Sequence, residues 1–244
     1  MDIKIPYTPR KHQAHLHRQI DKHRWNVLVC HRRFGKTVCM INHLIRSALL
    51  SKLSNPRFAY IAPTFKQAKS IAWDYMKQFT AKIPHTKFNE TELRVDLPNG
   101  ARITLLGSES PDGLRGIYLD GCVIDEYANV NSKLFPEIIR PALSDRKGYC
   151  VFIGTPMGMN NNFYELYQHA QGAEDWFNYK AKASDTKIVD NDELVKAKEV
   201  MGDKKFQQEF ECDWIANIEG AVYGDVIAKL DDDKQLTRVP YDPA

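Results

Sequence analysis

WNVLVCHRRFGKT, residues 25–37, decides the fold. WNVLVC (25–30) is rich in β-forming residues and runs straight into CHRRFGKT (30–37). That loop comes close to the phosphate-binding pattern G-x-x-x-x-G-K-[ST], with Gly35, Lys36 and Thr37 in their places. It departs from the pattern at its start, where Cys30 stands for the first glycine, and it carries Arg32 and Arg33 inside the loop. Behind it, residues 36–50 place Val38, Ile41, Leu44, Ile45, Ala48 and Leu49 at helical spacing. Strand, loop and helix together give the pattern a mechanism. Backbone N–H groups of Cys30, His31, Arg32, Arg33, Phe34 and Gly35, with the helix dipole behind them, would cradle phosphate oxygens. Lys36 would reach the β- and γ-phosphates, and the Thr37 hydroxyl would ligate Mg²⁺. Cys30 is small enough for the tight turn, and Arg32 or Arg33 would add a second cation at the γ-phosphate. A basic turn before a helix would look the same in isolation, so the rest of the chain has to choose.

Two further strand ends make the choice. CVIDE (122–126) is an apolar strand closed by two carboxylates, Asp125 placed to hold the Mg²⁺ shell and Glu126 to polarise an attacking water. FIGTPMG (152–158) ends a second apolar strand, and its Thr155 is expected beside the acidic pair at the carboxyl edge of the sheet, where a hydroxyl can sense the γ-phosphate or its water. RFAYIAP (57–63), GCVIDEY (121–127) and GYCVFIGTP (148–156) read as buried strands, residues 65–80 as a second helix, and residues 92–107 as a hairpin about Asn99-Gly100. Beyond Pro156 a helix is expected over 160–170, a strand over 176–184, and helix over 191–214 with a break near Gly202-Asp203.

Composition sets the outer limits. The chain has 244 residues, enough for one large core or two modest ones. Lys and Arg number 34 against 31 Asp and Glu, a balance that does not mark a nucleic-acid binder by itself, although the first 36 residues are rich in Arg, Lys and His. The five cysteines form no C-x-x-C and sit mostly in apolar runs, so they read as buried thiols in a reducing compartment. No apolar run approaches the roughly 20 residues that cross a bilayer, and MDIKIPYTPRKHQ lacks the apolar stretch of a signal peptide. A cytoplasmic protein with no membrane partner is expected.

With these motifs in this order, the chain resembles, over residues 1–244, the large terminase subunit of tailed double-stranded DNA phages. The resemblance implies an α/β fold: a P-loop NTPase of the ASCE/RecA-like type, with a mostly parallel central sheet flanked by helices and a small C-terminal sub-domain. It implies an ATPase that uses ATP and Mg²⁺ to drive double-stranded viral DNA into a preformed capsid in the host cytoplasm. A separate nuclease domain follows in that family. The family tolerates an arginine-bearing loop, which accounts for Cys30 and Arg32. YTPRKHQ (7–13) is similar to its adenine-recognition segment, with Tyr7 and Arg10 flanking the base and Gln13 on its edge; read by its residues alone, the segment is a solvated basic arm. CVIDEY matches the Mg²⁺ and catalytic-glutamate motif, and GTP (154–156) the motif that couples hydrolysis to movement. FQQEFECDW (206–214) and EGAVYGD (219–225) look like the end of the ATPase region. Arg115, in DGLRG, falls where similar terminases place an arginine that acts in trans on a neighbour's ATP, with a solvated loop arginine as the alternative. The implied partners are DNA, the capsid portal protein, the small terminase subunit and further copies in a homo-oligomeric ring.

The domain expectation is an ATPase core over 1–175, a small helical and linker sub-domain over 176–220, and a linker over 221–244 toward a nuclease domain that the chain lacks. Asp231, Asp232 and Asp233 are consecutive, so they point different ways and form no nuclease site. The rival readings are a helicase-type ATPase, which would need a second RecA-like lobe, and a clamp that uses nucleotide only structurally, for which Glu126 has no use.

Overall fold

The computed structural model describes residues 4–215. Among these residues eight strands form one sheet: β1 (Trp25–Cys30), β2 (Arg57–Ala62), β3 (Lys87–Asn89), β4 (Arg94–Asp96), β5 (Arg102–Gly107), β6 (Gly121–Asp125), β7 (Tyr149–Gly154) and β8 (Trp176–Ala181). Their order across the sheet is β3-β4-β5-β2-β6-β7-β1-β8. From β5 to β8 every pairing is parallel; β3 and β4 extend the edge antiparallel.

β1, β2, β6 and β7 are buried along nearly their whole length, as apolar strands covered on both faces should be, whereas β5 and β8 are mostly half-buried. Alternation along β1 sends Leu28 and Cys30 to one core, and Trp25, Val27 and Val29 to the other. The first core is closed by α1 (Lys11–Ile20), α2 (Lys36–Leu50), α3 (Phe65–Ala68) and α4 (Asp74–Thr80). The second is closed by residues 127–143, which include α5 (Arg140–Ala142), and by α6 (Asn162–Ala170). Beyond β8 lie α7 (Ala183–Thr186), α8 (Asn191–Met201) and α9 (Asp203–Phe210), with a small core of their own around Ala183, Phe206 and Phe210.

Most expected elements are present, with informative differences. The helix expected over 65–80 is interrupted by a π turn, Lys69–Trp73, whose wider register keeps both Ala72 and Trp73 buried. The expected helix break falls at Gly202, whose φ of 78° and ψ of 162° suit glycine. The helix after it ends at Phe210, short of 214, and Cys212 beyond it has a φ of 54°. The strand expected over 176–184 stops at Ala181, and it belongs to the central sheet. It pairs with β1 along its whole length, and Trp176 stacks on Trp25 at 5.9 Å. The sheet therefore crosses the expected boundary at 175/176, because β1 would otherwise expose an unpaired edge. All strands among the described residues lie in this one sheet, so those residues hold no second lobe of the kind a helicase needs. The segments 219–225, 221–244 and Asp231–Asp233 lie outside the described residues.

Candidate active site

Strand order assembles the site. β7 lies between β6 and β1, all three parallel, so the residues that follow each strand emerge side by side at one edge. They are the 30–37 loop after β1, Glu126 after β6 and Thr155 after β7. A cleft of about 300 Å³ opens there. Lys36, Glu126, Thr155 and Arg32 line it, joined by Asn129 and, from α9, by Lys205, Gln208 and Glu209.

The loop is built without its first glycine because that position does not need one. Cys30 closes β1, fully buried, and its backbone is not in the left-handed region. The left-handed residues are Arg33 (φ 70°) and Gly35 (φ 87°). Gly35 caps α2, and a Cβ there would meet the Gln13 amide at 2.9 Å. His31 and Phe34 are buried beneath the loop, their rings edge to face at 5.7 Å. The His31 N–H donates to the Ala181 carbonyl at 3.0 Å, and its Nε2 lies 2.8 Å from the Thr186 hydroxyl. Arg32 lines the cleft, whereas the exposed Arg33 is not among its lining residues.

Lys36 Nζ lies 3.3 Å from the Cys30 carbonyl and 3.9 Å from Glu126 Oε1. Glu126 sits in the left-handed region (φ 47°, ψ 49°), an uncommon conformation for a residue with a side chain, and this ends β6 abruptly. Burial pushes its carboxyl above the usual glutamate value. Lys36 pulls it back, Asp125 and Glu209 push it further up, and a hydrogen bond with the Thr155 backbone opposes them.

Asp125 is buried and also raised by burial, against the pull of a hydrogen bond from Tyr60, the Lys36 charge and the Glu126 amide. The Tyr60 hydroxyl donates to Asp125 Oδ2, and the Thr37 side chain lies near enough to that hydroxyl to influence its titration. The two expected Mg²⁺ ligands, Thr37 and Asp125, thus lie on either side of one hydroxyl on β2. A hydroxyl and one carboxylate are hard oxygen donors that suit Mg²⁺, which takes few protein ligands and completes its shell with water and phosphate. Among the described residues no cluster of three or more His, Cys, Asp or Glu could hold a metal by itself.

The amino-terminal segment is tied to the loop from behind. Arg10 Nη1 donates to the Phe34 carbonyl at 3.3 Å, and Gln13 Nε2 donates to the Gly35 carbonyl at 3.2 Å, while Gln13 Oε1 accepts from the Arg10 N–H. Tyr7 turns elsewhere. Its hydroxyl meets His17 Nε2 at 3.0 Å and its ring packs edge-on against Phe79. None of these three lines the cleft, and neither does Arg115, which pairs with Glu137 at 3.7 Å. Sequence reasoning misses Tyr60, Gln208 and Lys205; Tyr60 is hidden inside an apolar strand, and the other two arrive from α9.

A phosphate loop, an acidic strand end and a hydroxyl at the carboxyl edge of a largely parallel sheet define a P-loop NTPase fold. The chain belongs to the family described as "Terminase large subunit, T4likevirus-type, N-terminal", which matches residues 29–225. Over 126 residues it is 30% identical to the large terminase subunits of Thermus phage G20c and Thermus virus P23-45, a span covering 44% of this chain and 26% of each of theirs. The matched span is thus about a quarter of the length of those relatives. Among solved structures, the Thermus phage P74-26 large terminase ATPase domain superposes with a TM-score of 0.73 at 22% identity, covering 86% of this chain and 95% of that one. The large terminase of another thermophilic bacteriophage, solved in complex with ADP, also gives 0.73, at 16% identity, covering 84% and 53%.

Proposed function

We propose that this chain is an ATPase whose hydrolysis of ATP drives double-stranded viral DNA into a capsid. The observation that carries the reading is the approach of Lys36 and Glu126 to 3.9 Å in one cleft, from strands far apart in the chain. Lys36 and the loop amides bind the triphosphate, and Arg32 adds a cation. Glu126 orients water toward the γ-phosphorus, and Thr155, next to it, senses whether the phosphate is still attached. Mg²⁺, held by Thr37 and Asp125, would supply charge neutralisation between the phosphates. Arg10 and Gln13, tied to the loop carbonyls, stand on the side from which a base would be read, and Tyr7, now turned toward His17, would have to swing round to flank that base. Arg115, outside its own cleft, acts in trans on a neighbouring subunit of a homo-oligomeric ring. The remaining partners are the portal protein and the small terminase subunit, all in the host cytoplasm. Among the described residues no helix is long and apolar enough to cross a membrane.

The test is phosphate release. Glu126→Gln should retain nucleotide binding and lose at least about 100-fold in turnover. Parental turnover would remove Glu126 from the mechanism. Arg115→Ala should depress turnover only in the assembled ring; equal loss in a monomer would rule out action in trans.

A further inference from the structure

α9 is docked on both halves of the site. The Arg32 N–H donates to the Glu209 carbonyl at 2.7 Å, which ties the helix to the phosphate loop. The Gln208 amide, only 3% exposed, donates to the Pro156 carbonyl at 2.6 Å, which ties it to the turn that carries Thr155. Lys205 stands one turn earlier and lines the same cleft as Lys36 and Glu126. Its ammonium reaches Glu209 Oε1 at 3.2 Å and Gln208 Oε1 at 3.3 Å.

An ammonium has three N–H donors. Two of them are directed at α9's own side chains, and the third remains for a group inside the cleft. Glu209, with a side chain 15% exposed, would by itself repel an entering anion. With Lys205 in front of it, that end of the cleft becomes attractive to one. We propose that Lys205 is a second lysine of the nucleotide site, which binds an oxygen of the terminal phosphate and is aimed by Glu209 and Gln208. Through Gln208 the contact reaches the Pro156 carbonyl, so α9 and the Thr155 turn respond together to the presence of that phosphate. Gly202, at the head of α9, gives the helix a glycine joint about which to settle. The inference rests on the reading of the cleft given under Proposed function and adds to it a residue that tells triphosphate from diphosphate.

Displacement of a fluorescent nucleotide by ATPγS and by ADP, each with Mg²⁺, tests it. Lys205→Ala should weaken ATPγS by about tenfold and leave ADP within about twofold. Lys205→Arg should keep most of the ATPγS affinity, since it retains the charge. The nucleotide-free melting temperature of Lys205→Ala should stay within about 2 °C of the parent, as befits a partly exposed helical position. Equal loss for both nucleotides, no loss for either, or a much lower melting temperature would overturn the role assigned to Lys205. If Lys36→Ala binds both nucleotides as well as the parent, the cleft itself has been misread, and the two failures are thereby told apart.

Discussion

Tyr60 shows how a single side chain can organise the site. Buried among apolar residues of β2, its hydroxyl donates to Asp125 and lies near Thr37. Tyr60→Phe would leave a buried carboxylate oxygen without its donor, at a cost of about 1–3 kcal/mol. Its melting temperature should drop, and half-maximal turnover should need more Mg²⁺; an unchanged Mg²⁺ titration would make Tyr60 a packing residue only. Glu126 makes a second case. In the proposed mechanism its carboxyl is ionised to orient water, and burial, Asp125 and Glu209 hold its pKa above the ordinary glutamate value. Turnover should therefore fall as pH drops through that raised value. Glu209→Gln removes one source of the rise, so the acid limb of the pH–rate profile should move to lower pH. An acid limb that stays in place would show that Glu209 does not act on Glu126 electrostatically. Lys36→Ala should abolish nucleotide binding, measured by the same displacement assay.

Elements differ in how openly the sequence displays them. β1, β6 and β7 are unbroken apolar runs that end in chemistry, so strand, function and edge are signalled within a few residues. α2 and the Asn99-Gly100 hairpin are local signals of the same kind. β3 is short, polar and exposed along Lys87–Phe88, and carries no period from which to read it. The placement of β8 in the sheet, and of Lys205 and Gln208 in the cleft, depends on pairing and docking between distant segments. Gly202 is legible as a break, but its conformation is not. A Cβ added there meets no atom within 4 Å, so the cost of Gly202→Ala is backbone strain alone, about 1–3 kcal/mol. Faster hydrogen exchange in α8 and α9, with the sheet amides unaffected, is the expected signature.

For the whole molecule, acid is the condition to watch. His17 and His43 stack in the first core with their Nδ1 atoms 3.0 Å apart, an arrangement that needs one donor and one acceptor. Burial lowers His17 to about 4 and His43 to about 3, with the neighbouring Arg46 opposing protonation of both. The unfolded chain titrates these rings near 6.5. It therefore binds more protons than the folded one below that pH, and stability should decline as pH falls from about 6.5 toward 4. Denaturant midpoints at pH 7 and pH 5 would measure this, and His43→Gln should flatten the dependence. The strand order carries one more consequence, for biosynthesis. Among the described strands β1 leaves the ribosome first, but its two neighbours, β7 and β8, emerge last. Until then the nascent Trp25–Cys30 segment has nothing to pair with and is a natural target for chaperones. If the cleft takes nucleotide as proposed, the ligand needs the ends of β1, β6 and β7 together, so it would lock a sheet already assembled and not guide that early stage.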